Sequence, residues 1–380
     1  MIRTSLNSMM KLLRAILLTI VLNVTAHAGN VPPVQTVFVI VLENHVWSEF
    51  KDSTNAPYLN ETLLPLASHC EQYYNPPGLH PSEPNYLWLE AGTNFGIFDN
   101  SDPAINHQNT TNHLSAQLRR AGISWKTYQE DIVGDMVPFT AINGYAPRHN
   151  PFIYFDDNTG TNNPHDAYAL AHIRPYTELA GDLTNNAVAR YNFITPNLCH
   201  DGHDACAPQN NAIRQSDDWL ASEVPKILRS VAYTNNGALF IVWDEGEDGL
   251  DGPIGMILLS PLARGGGYSN NIHYTHSSFV RTMQEIFGVS PWLGDAANAT
   301  DLRDLFMQPT IDSAGMSANG RFNLHVTGVL SGRTNYIEAS TNLALWNPVG
   351  TNWSSSNSFF FTDDLATNHS LQFYRVRQAP

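Results

Sequence analysis

Two long apolar runs dominate the hydrophobic pattern, and each ends abruptly on a pair of oxygen-bearing side chains. Thr36-Val-Phe-Val-Ile-Val-Leu42 runs straight into Glu43-Asn44, and Ala238-Leu-Phe-Ile-Val-Trp243 runs into Asp244-Glu245. Unbroken Val/Ile/Leu/Phe runs of this length suit strands buried on both faces of a parallel sheet. Between and around them, strand-like and helix-like stretches alternate. Pro57 to Glu71 reads as a helix with Leu59, Leu63, Leu66 and Ala67 on one side. A loop rich in Pro and Gly, Asn75 to Pro84, precedes an apolar helix that runs to Gly92. His113 to Ala121 predicts a further helix and Ser124 to Tyr128 the next strand. Residues 131 to 168 show little periodicity and read as irregular loop. Tyr191 to Thr195 and Ile254 to Leu259 are strands, while Ser216 to Ser230 and Ser277 to Phe287 are helices. This alternation predicts a layered α/β fold with a mostly parallel central sheet.

The pattern changes character near Met307. Gln308 to Gly320 is rich in small and polar residues and reads as a linker. Short alternating strands follow at Phe322–Thr327, Asn335–Ala339, Ser358–Thr362 and Leu371–Val376, separated by Gly, Asn and Ser turns. The chain of 380 residues therefore divides into a catalytic-sized domain over 29–312 and a small all-β module over 320–380. A module of this size is near the lower limit for standing alone, which lies at about 40–60 residues.

The first 28 residues read as a secretory signal. Lys11 and Arg14 precede the apolar run Ala15 to Leu22, and Ala26-His-Ala28 supplies small residues for cleavage. The run is too short for a spanning helix; the alternative is an uncleaved N-terminal anchor. Formal net charge is −15, and losing Arg3, Lys11 and Arg14 with the leader takes it to −18. So acidic a chain excludes nucleic acid as a routine partner, because phosphate backbones demand basic patches. It also disfavours adsorption to anionic membranes, and no later segment is a candidate for stable membrane insertion. Cys199 and Cys206 flank a short polar loop and can close a small disulfide, leaving Cys70 over.

In open α/β sheets the functional crevice lies beyond the carboxyl ends of the strands. Glu43, Asn44, Asp244 and Glu245 are delivered there from distant parts of the chain, a set of oxygen donors suited to a hard divalent cation. Either dipeptide by itself would also serve as a turn cap. Ser82 lies just ahead of a helix whose Pro84 suits the first turn. A helix start offers free N–H groups and a positive dipole end to an anion, and a serine hydroxyl there is placed to attack phosphorus. An ordinary N-terminal cap is the competing role for Ser82.

The ordered series Glu43-Asn44, His80-Pro-Ser-Glu-Pro-Asn-Tyr86, His149-Asn-Pro151, Pro196-Asn197, Asp201-Gly-His203-Asp204, Asp244-Glu245 and His276 resembles the phosphoesterase family of acid phosphatases and non-haemolytic type C phospholipases, within the alkaline-phosphatase-like superfamily. The resemblance covers about residues 35 to 290. It implies an alkaline-phosphatase-like layered α/β/α fold and metal-dependent hydrolysis of phosphoric esters. It also implies one or more divalent ions of unspecified identity at Glu43, Asn44, Asp244 and Glu245. Ser82 matches the family's nucleophile, and His149 and His203 match its phosphate-binding histidines. His45, Val46 and Trp47 depart from the small hydroxylated residue and Phe-Asp of many relatives, which bears on substrate preference. The implied activity is an exported, secreted or periplasmic phosphomonoesterase acting on a small phosphate ester. The alternatives are a phospholipase C-type diesterase acting at a phospholipid headgroup, and an inactive surface-binding protein. Protein recovered from outside the cell should begin near Gly29 on N-terminal sequencing, and a start at Met1 would refute cleavage of the leader.

Overall fold

The two apolar runs lie side by side as parallel strands at the centre of the larger of two compact units. The computed structural model describes residues 31–249, 251–317 and 320–378, so the leader read over residues 1–28 lies outside the described residues. The units divide at Met307 and Gln308. In chain order the strands of the larger unit are β1 (Thr36–Leu42), β2 (Ser68–Cys70), β3 (Tyr73–Tyr74), β4 (Trp125–Gln129), β5 (Ile173–Pro175), β6 (Tyr191–Thr195), β7 (Gly237–Trp243), β8 (Met256–Leu259), β9 (Tyr268–Asn270) and β10 (Tyr274–Thr275). Eight of these form one sheet in the order β5-β4-β6-β1-β7-β8-β2-β9, and β3 pairs with β10 alone. Every contact in the sheet is parallel except those of β8, which runs antiparallel to both β7 and β2. The layered α/β class with a mostly parallel sheet is thus what the chain adopts.

β1 and β7 pair over their full length, from Thr36 opposite Gly237 to Leu42 opposite Trp243. Val37 to Leu42 and Ala238 to Trp243 are wholly buried. Two-sided burial explains why neither run alternates with polar residues.

Several elements differ from the pattern reading. The helix expected over 57–71 is a short helical stretch, Leu59–Leu63 and Leu64–Leu66, followed by β2. Ala67 turns extended, and Ser68 to Cys70 then bond β8 on one side and β9 on the other. Sheet pairing overrides local helical periodicity there. The helix expected from Ser216 starts at Ala212, because Asn211 caps it by accepting from the Arg214 N–H. The stretch 131–168 is irregular, but it is not a surface loop throughout: Phe152 to Phe155 are wholly buried in short turns that carry the chain across the core.

The helix Ser82–Ala91 packs against the helix His276–Phe287. It ends at Gly92, which is left-handed at φ 67°. A Cβ on Gly92 would lie 2.5 Å from the Leu293 carbonyl oxygen, and one on Gly294 would lie 2.1 Å from the Gly92 oxygen. Two backbones therefore meet where only glycine fits.

In the unit from Gln308, the expected linker contains a strand, β11 (Thr310–Met316). The remaining strands are β12 (Phe322–Thr327), β13 (Arg333–Ser340), β14 (Asn347–Ser354), β15 (Ser358–Asp363) and β16 (Phe373–Gln378). They form two antiparallel sheets, β11-β12-β15 and β14-β13-β16, around Leu324, Val326, Val329, Ile337 and Phe359. β11 and β14 escaped the pattern reading because their residues are mostly exposed and lack an apolar alternation. Cys199 and Cys206 are joined, with Cα atoms 5.6 Å apart, and Cys70 is a buried free thiol.

Gly294→Ala should cost about 2 kcal/mol or more in denaturant unfolding, through left-handed strain plus the backbone clash. Gly122→Ala, also left-handed but with open space around it, should cost only about 1 kcal/mol. Equal losses at the two positions would show that the close approach contributes nothing.

Candidate active site

Parallel pairing of β1 and β7 brings the residues that follow them into one cluster. The Asp244 N–H donates to the Leu42 carbonyl at 3.0 Å and the Glu43 N–H donates to the Asp201 carbonyl at 2.9 Å. Asn44 takes the left-handed conformation at φ 44°, which its short polar side chain tolerates. Its backbone N–H then donates to Asp244 Oδ1 at 3.1 Å.

Ser82 is the first residue of its helix, one position further in than the pattern suggested. Its Oγ lies 3.1 Å from Glu43 Oε2 and 3.3 Å from Glu245 Oε1. The other oxygen of Glu245 is held by His80 Nδ1 at 2.5 Å and by the Asn85 amide, which donates at 3.1 Å. His80 in turn reaches Asp251 Oδ1 through Nε2 at 3.1 Å. Ser82 thus sits between the acidic residues that follow β1 and β7, at a helix start.

His149 and His203 arrive on the opposite side through Asp201. The Asp201 carboxylate meets His149 Nδ1 at 3.1 Å and accepts from the His203 backbone N–H at 2.8 Å. His149 is buried and stacks on Tyr86, with ring centroids 5.1 Å apart and planes 8° from parallel. Its Nε2 lies 3.2 Å from Glu43 Oε1 without the alignment of a hydrogen bond. His203 is half-exposed, with Nδ1 on Asp204 at 2.7 Å and Nε2 accepting from Arg148 at 3.2 Å. The motif histidine His276 does not face the cluster. Its Nε2 donates to the Asp244 backbone carbonyl at 2.6 Å while Tyr73 OH meets Nδ1 at 3.1 Å. His200 lies outside too, paired with Glu130.

The electrostatics are dominated by buried negative charge. Burial, then the neighbouring Asp244 and Asp201, pushes the Glu43 carboxyl well up. Burial raises Asp244 to about 7, and burial with the Asp244 charge raises Glu245 to about 9. Asp201 is raised by burial against the opposing His203 N–H. Burial, Arg148 and His203 hold His149 well below the ordinary imidazole range. Glu43 Oε1, Asn44 Oδ1, Asp244 Oδ2 and His149 Nε2 are buried without a hydrogen-bond partner. The Tyr86 hydroxyl is a donor buried beside them without a partner, and an excess of buried acceptors over donors fits a cation. Glu43, His149 and Asp201 each offer an atom within 4.8 Å of the others.

The sequence reading assigned no role to Asp201, Arg148, Asn85 or Tyr86. Asn85 and Tyr86 follow Ser82 by three and four positions, a spacing that places them on the same helix face. That signal was present in the sequence. Arg148 carries none beyond its adjacency to His149.

A serine flanked by carboxylates at a helix start, at the carboxyl edge of a mostly parallel sheet, places the chain among the hydrolases of phosphoric esters. Residues 46–290 match the Phosphoesterase family, well over half the chain, and the chain belongs to that family. Ser82, His149, His203, Asp244 and Glu245 fall inside the matched segment, and Glu43 and Asn44 lie just before it. The chain is 26% identical over 280 residues to phosphatidylinositol-3-phosphatase of Mycobacterium tuberculosis, covering 73% of this chain and 85% of that protein. It is 28% identical over 263 residues to phosphate-repressible acid phosphatase of Penicillium chrysogenum, covering 66% of this chain and 59% of that protein. Among solved structures, murine ectonucleotide pyrophosphatase/phosphodiesterase 5 superposes with a TM-score of 0.48 at 12% identity, over 72% of this chain and 100% of that one.

Glu83, next to Ser82 and fully buried, accepts from Asn106 at 2.9 Å, and burial raises it to about 8. Its folded pKa lies above its unfolded value, so the unfolded chain loses this proton first as pH rises. Stability is then lost between about pH 4.5 and 8, at up to about 1.4 kcal/mol per pH unit. Glu83→Gln should match the wild type near pH 5 and melt higher than it near pH 8. A constant offset across that range would show that Glu83 does not titrate there.

Proposed function

We propose that this protein is an exported, metal-dependent phosphomonoesterase with Ser82 as its nucleophile. The observation that carries the reading is the position of Ser82 Oγ, 3.1 and 3.3 Å from two carboxylate oxygens at the start of a helix. In the reaction Ser82 Oγ bonds to phosphorus as the bond to the leaving oxygen breaks, giving a phosphoserine and an alcohol. The hydroxyl proton passes to the adjacent Glu43 or Glu245. Water then attacks phosphorus, the serine–phosphorus bond breaks, and inorganic phosphate leaves. A divalent cation held by Glu43, Asn44, Asp244 and Glu245 would supply neutralising charge for a phosphoryl oxygen and a lowered pKa for the hydroxyl.

Arg148, on the half-exposed side of the cluster with its guanidinium 3.2 Å from His203 Nε2, is placed to donate to non-bridging oxygens. His203, once protonated on Nε2 and released from Arg148, is placed to protonate the leaving alkoxide, and His149 is the second histidine of that phosphate-binding set. Preference for a monoester rests on the curated relatives, which are named as phosphatases. Export rests on the leader pattern; among the described residues no helix is long and apolar enough to cross a membrane. All the proposed site residues lie between Glu43 and Glu245, so the reading assigns the chemistry to the unit before Gln308 and none to the β module.

Ser82→Ala should lower turnover of p-nitrophenyl phosphate by more than the roughly 10²–10³ that removal of one stabilising donor costs. Quenching with labelled substrate should place label on the peptide carrying Ser82. Label elsewhere, or near-normal turnover in the variant, would refute the nucleophile. Faster turnover of phosphorylcholine diesters than of the monoester would move the assignment to a diesterase, and activity unchanged by chelator would remove the metal.

A further inference from the structure

We propose that the outer face of the sheet β14-β13-β16 is a binding surface for an acidic polysaccharide, a sugar polymer bearing carboxylate or sulfate groups. Register, ring stacking and charge carry the inference, and none of them involves the candidate active site.

Residues directly opposite one another in antiparallel strands share a face of the sheet. Ile337 lies opposite Val376, and both pack in the core of the module. The alternate positions therefore face outward. They pair Tyr336 with Arg377, Glu338 with Arg375, and Thr334 with Trp353. Trp353 thus stands at the next outward pair along from Tyr336, and it is 65% exposed. An indole left this open on a sheet face is a surface looking for a partner.

The arginines are held in place by rings. The Arg375 guanidinium lies 4.4 Å from the centroid of Trp346, and that of Arg377 lies 4.7 Å from the centroid of Tyr336. Trp346 is itself pinned, its Nε1 donating to the Leu343 carbonyl at 3.1 Å. Glu338 sits between the two arginines, accepting from Arg375 Nε at 2.7 Å and lying 3.5 Å from Arg377. A stacked guanidinium keeps N–H groups at its edge for carboxylate or sulfate oxygens. Being already oriented, it loses little freedom on binding. The negative face of the Trp353 indole attracts the positively polarised C–H groups of a sugar ring.

Charge selects the class of polymer. The net charge of −18 that follows loss of the leader falls wholly before Gln308, and the module holds four arginines against four carboxylates. The carboxylates other than Glu338 are engaged elsewhere: Asp312 by His325, Asp364 by Arg321, and Asp363 by Tyr374 and Gln372. Arg375 and Arg377 therefore face outward against Glu338 alone. So small a positive surplus suits a chain whose acid groups are spaced apart by sugar rings. Nucleic acid, with a phosphate at every nucleotide, demands a far more basic patch.

The test flows the whole purified protein over surfaces bearing polygalacturonate, dextran sulfate, neutral dextran and poly(dT). The acidic polysaccharides should retain it, less so as salt is raised, and dextran and poly(dT) should not. Retention on one acidic polymer alone would support the inference and name the acid group. Trp353→Ala and Arg377→Ala should each weaken retention tenfold or more while turnover of p-nitrophenyl phosphate stays unchanged. Phe360→Ala, at an exposed position on β15 of the other sheet, should be retained like the wild type. No retention of the wild type on either acidic polymer would overturn the inference, a result independent of whether any variant folds. Equal retention on dextran, or folded Trp353→Ala and Arg377→Ala binding within threefold of the wild type, would overturn it too. Preferential retention on poly(dT) would make the face a nucleic-acid surface instead, and a dimer abolished by Trp353→Ala would make it an interface between copies.

Discussion

The pairing of β1 with β7 is the constraint on which the rest of the site depends. Parallel register from Thr36–Gly237 to Leu42–Trp243 ends both strands at the same level. The next residues are then neighbours by backbone geometry alone, before any side chain is considered. The Asp244 N–H bonds to the Leu42 carbonyl, and the Asn44 N–H bonds to the Asp244 side chain. A one-residue slip would turn Glu43 or Asp244 to the other face of the sheet. With both strands wholly buried, that slip would also leave the core filled by the wrong side chains.

The local electrostatics oppose this convergence. Glu43, Asp201, Asp244 and Glu245 are all buried and all pushed toward their protonated forms, chiefly by loss of water. Protein donors relieve part of the cost: the N–H groups of Asn44 and His203, the Asn85 amide and His80. Of the atoms left without partners, His149 Nε2 and Glu43 Oε1 lie 3.2 Å apart. A site of this kind gives up stability for function, and the surrounding framework offsets the loss. The fully buried Phe152–Phe155 stretch and the contact of the Ser82 helix with His276–Phe287 belong to that framework.

Much of this was legible in the residues. β1 and β7 were readable because two-sided burial leaves an unbroken apolar run, and the residues after them were readable by position. Ser82 was legible as a helix start. β2 was hidden, because three residues that gain their structure from β8 and β9 carry no period of their own. β11 and β14 were hidden by exposure. Asp201 appeared in a motif but without a role, since its contact with His149 spans 52 positions along the chain. A single sequence holds no local trace of such a contact. The orientation of His149, with one nitrogen on Asp201 and the other toward Glu43, is likewise a property of three-dimensional packing.

The disulfide deserves to be set beside the residues it encloses. Cys199 and Cys206 bracket Asp201, His203 and Asp204 within a seven-residue separation. Across that same short loop run the contacts that aim His149 and place His203 beside Arg148. A covalent clasp removes much of the loop's freedom in the unliganded protein, so less ordering remains to be done when substrate arrives. Oxidation state thereby bears on how well the proposed site is organised as well as on stability. Polypeptide made in a reducing cytosol would carry every residue of the site and still present it less well organised than polypeptide matured where thiols are oxidised.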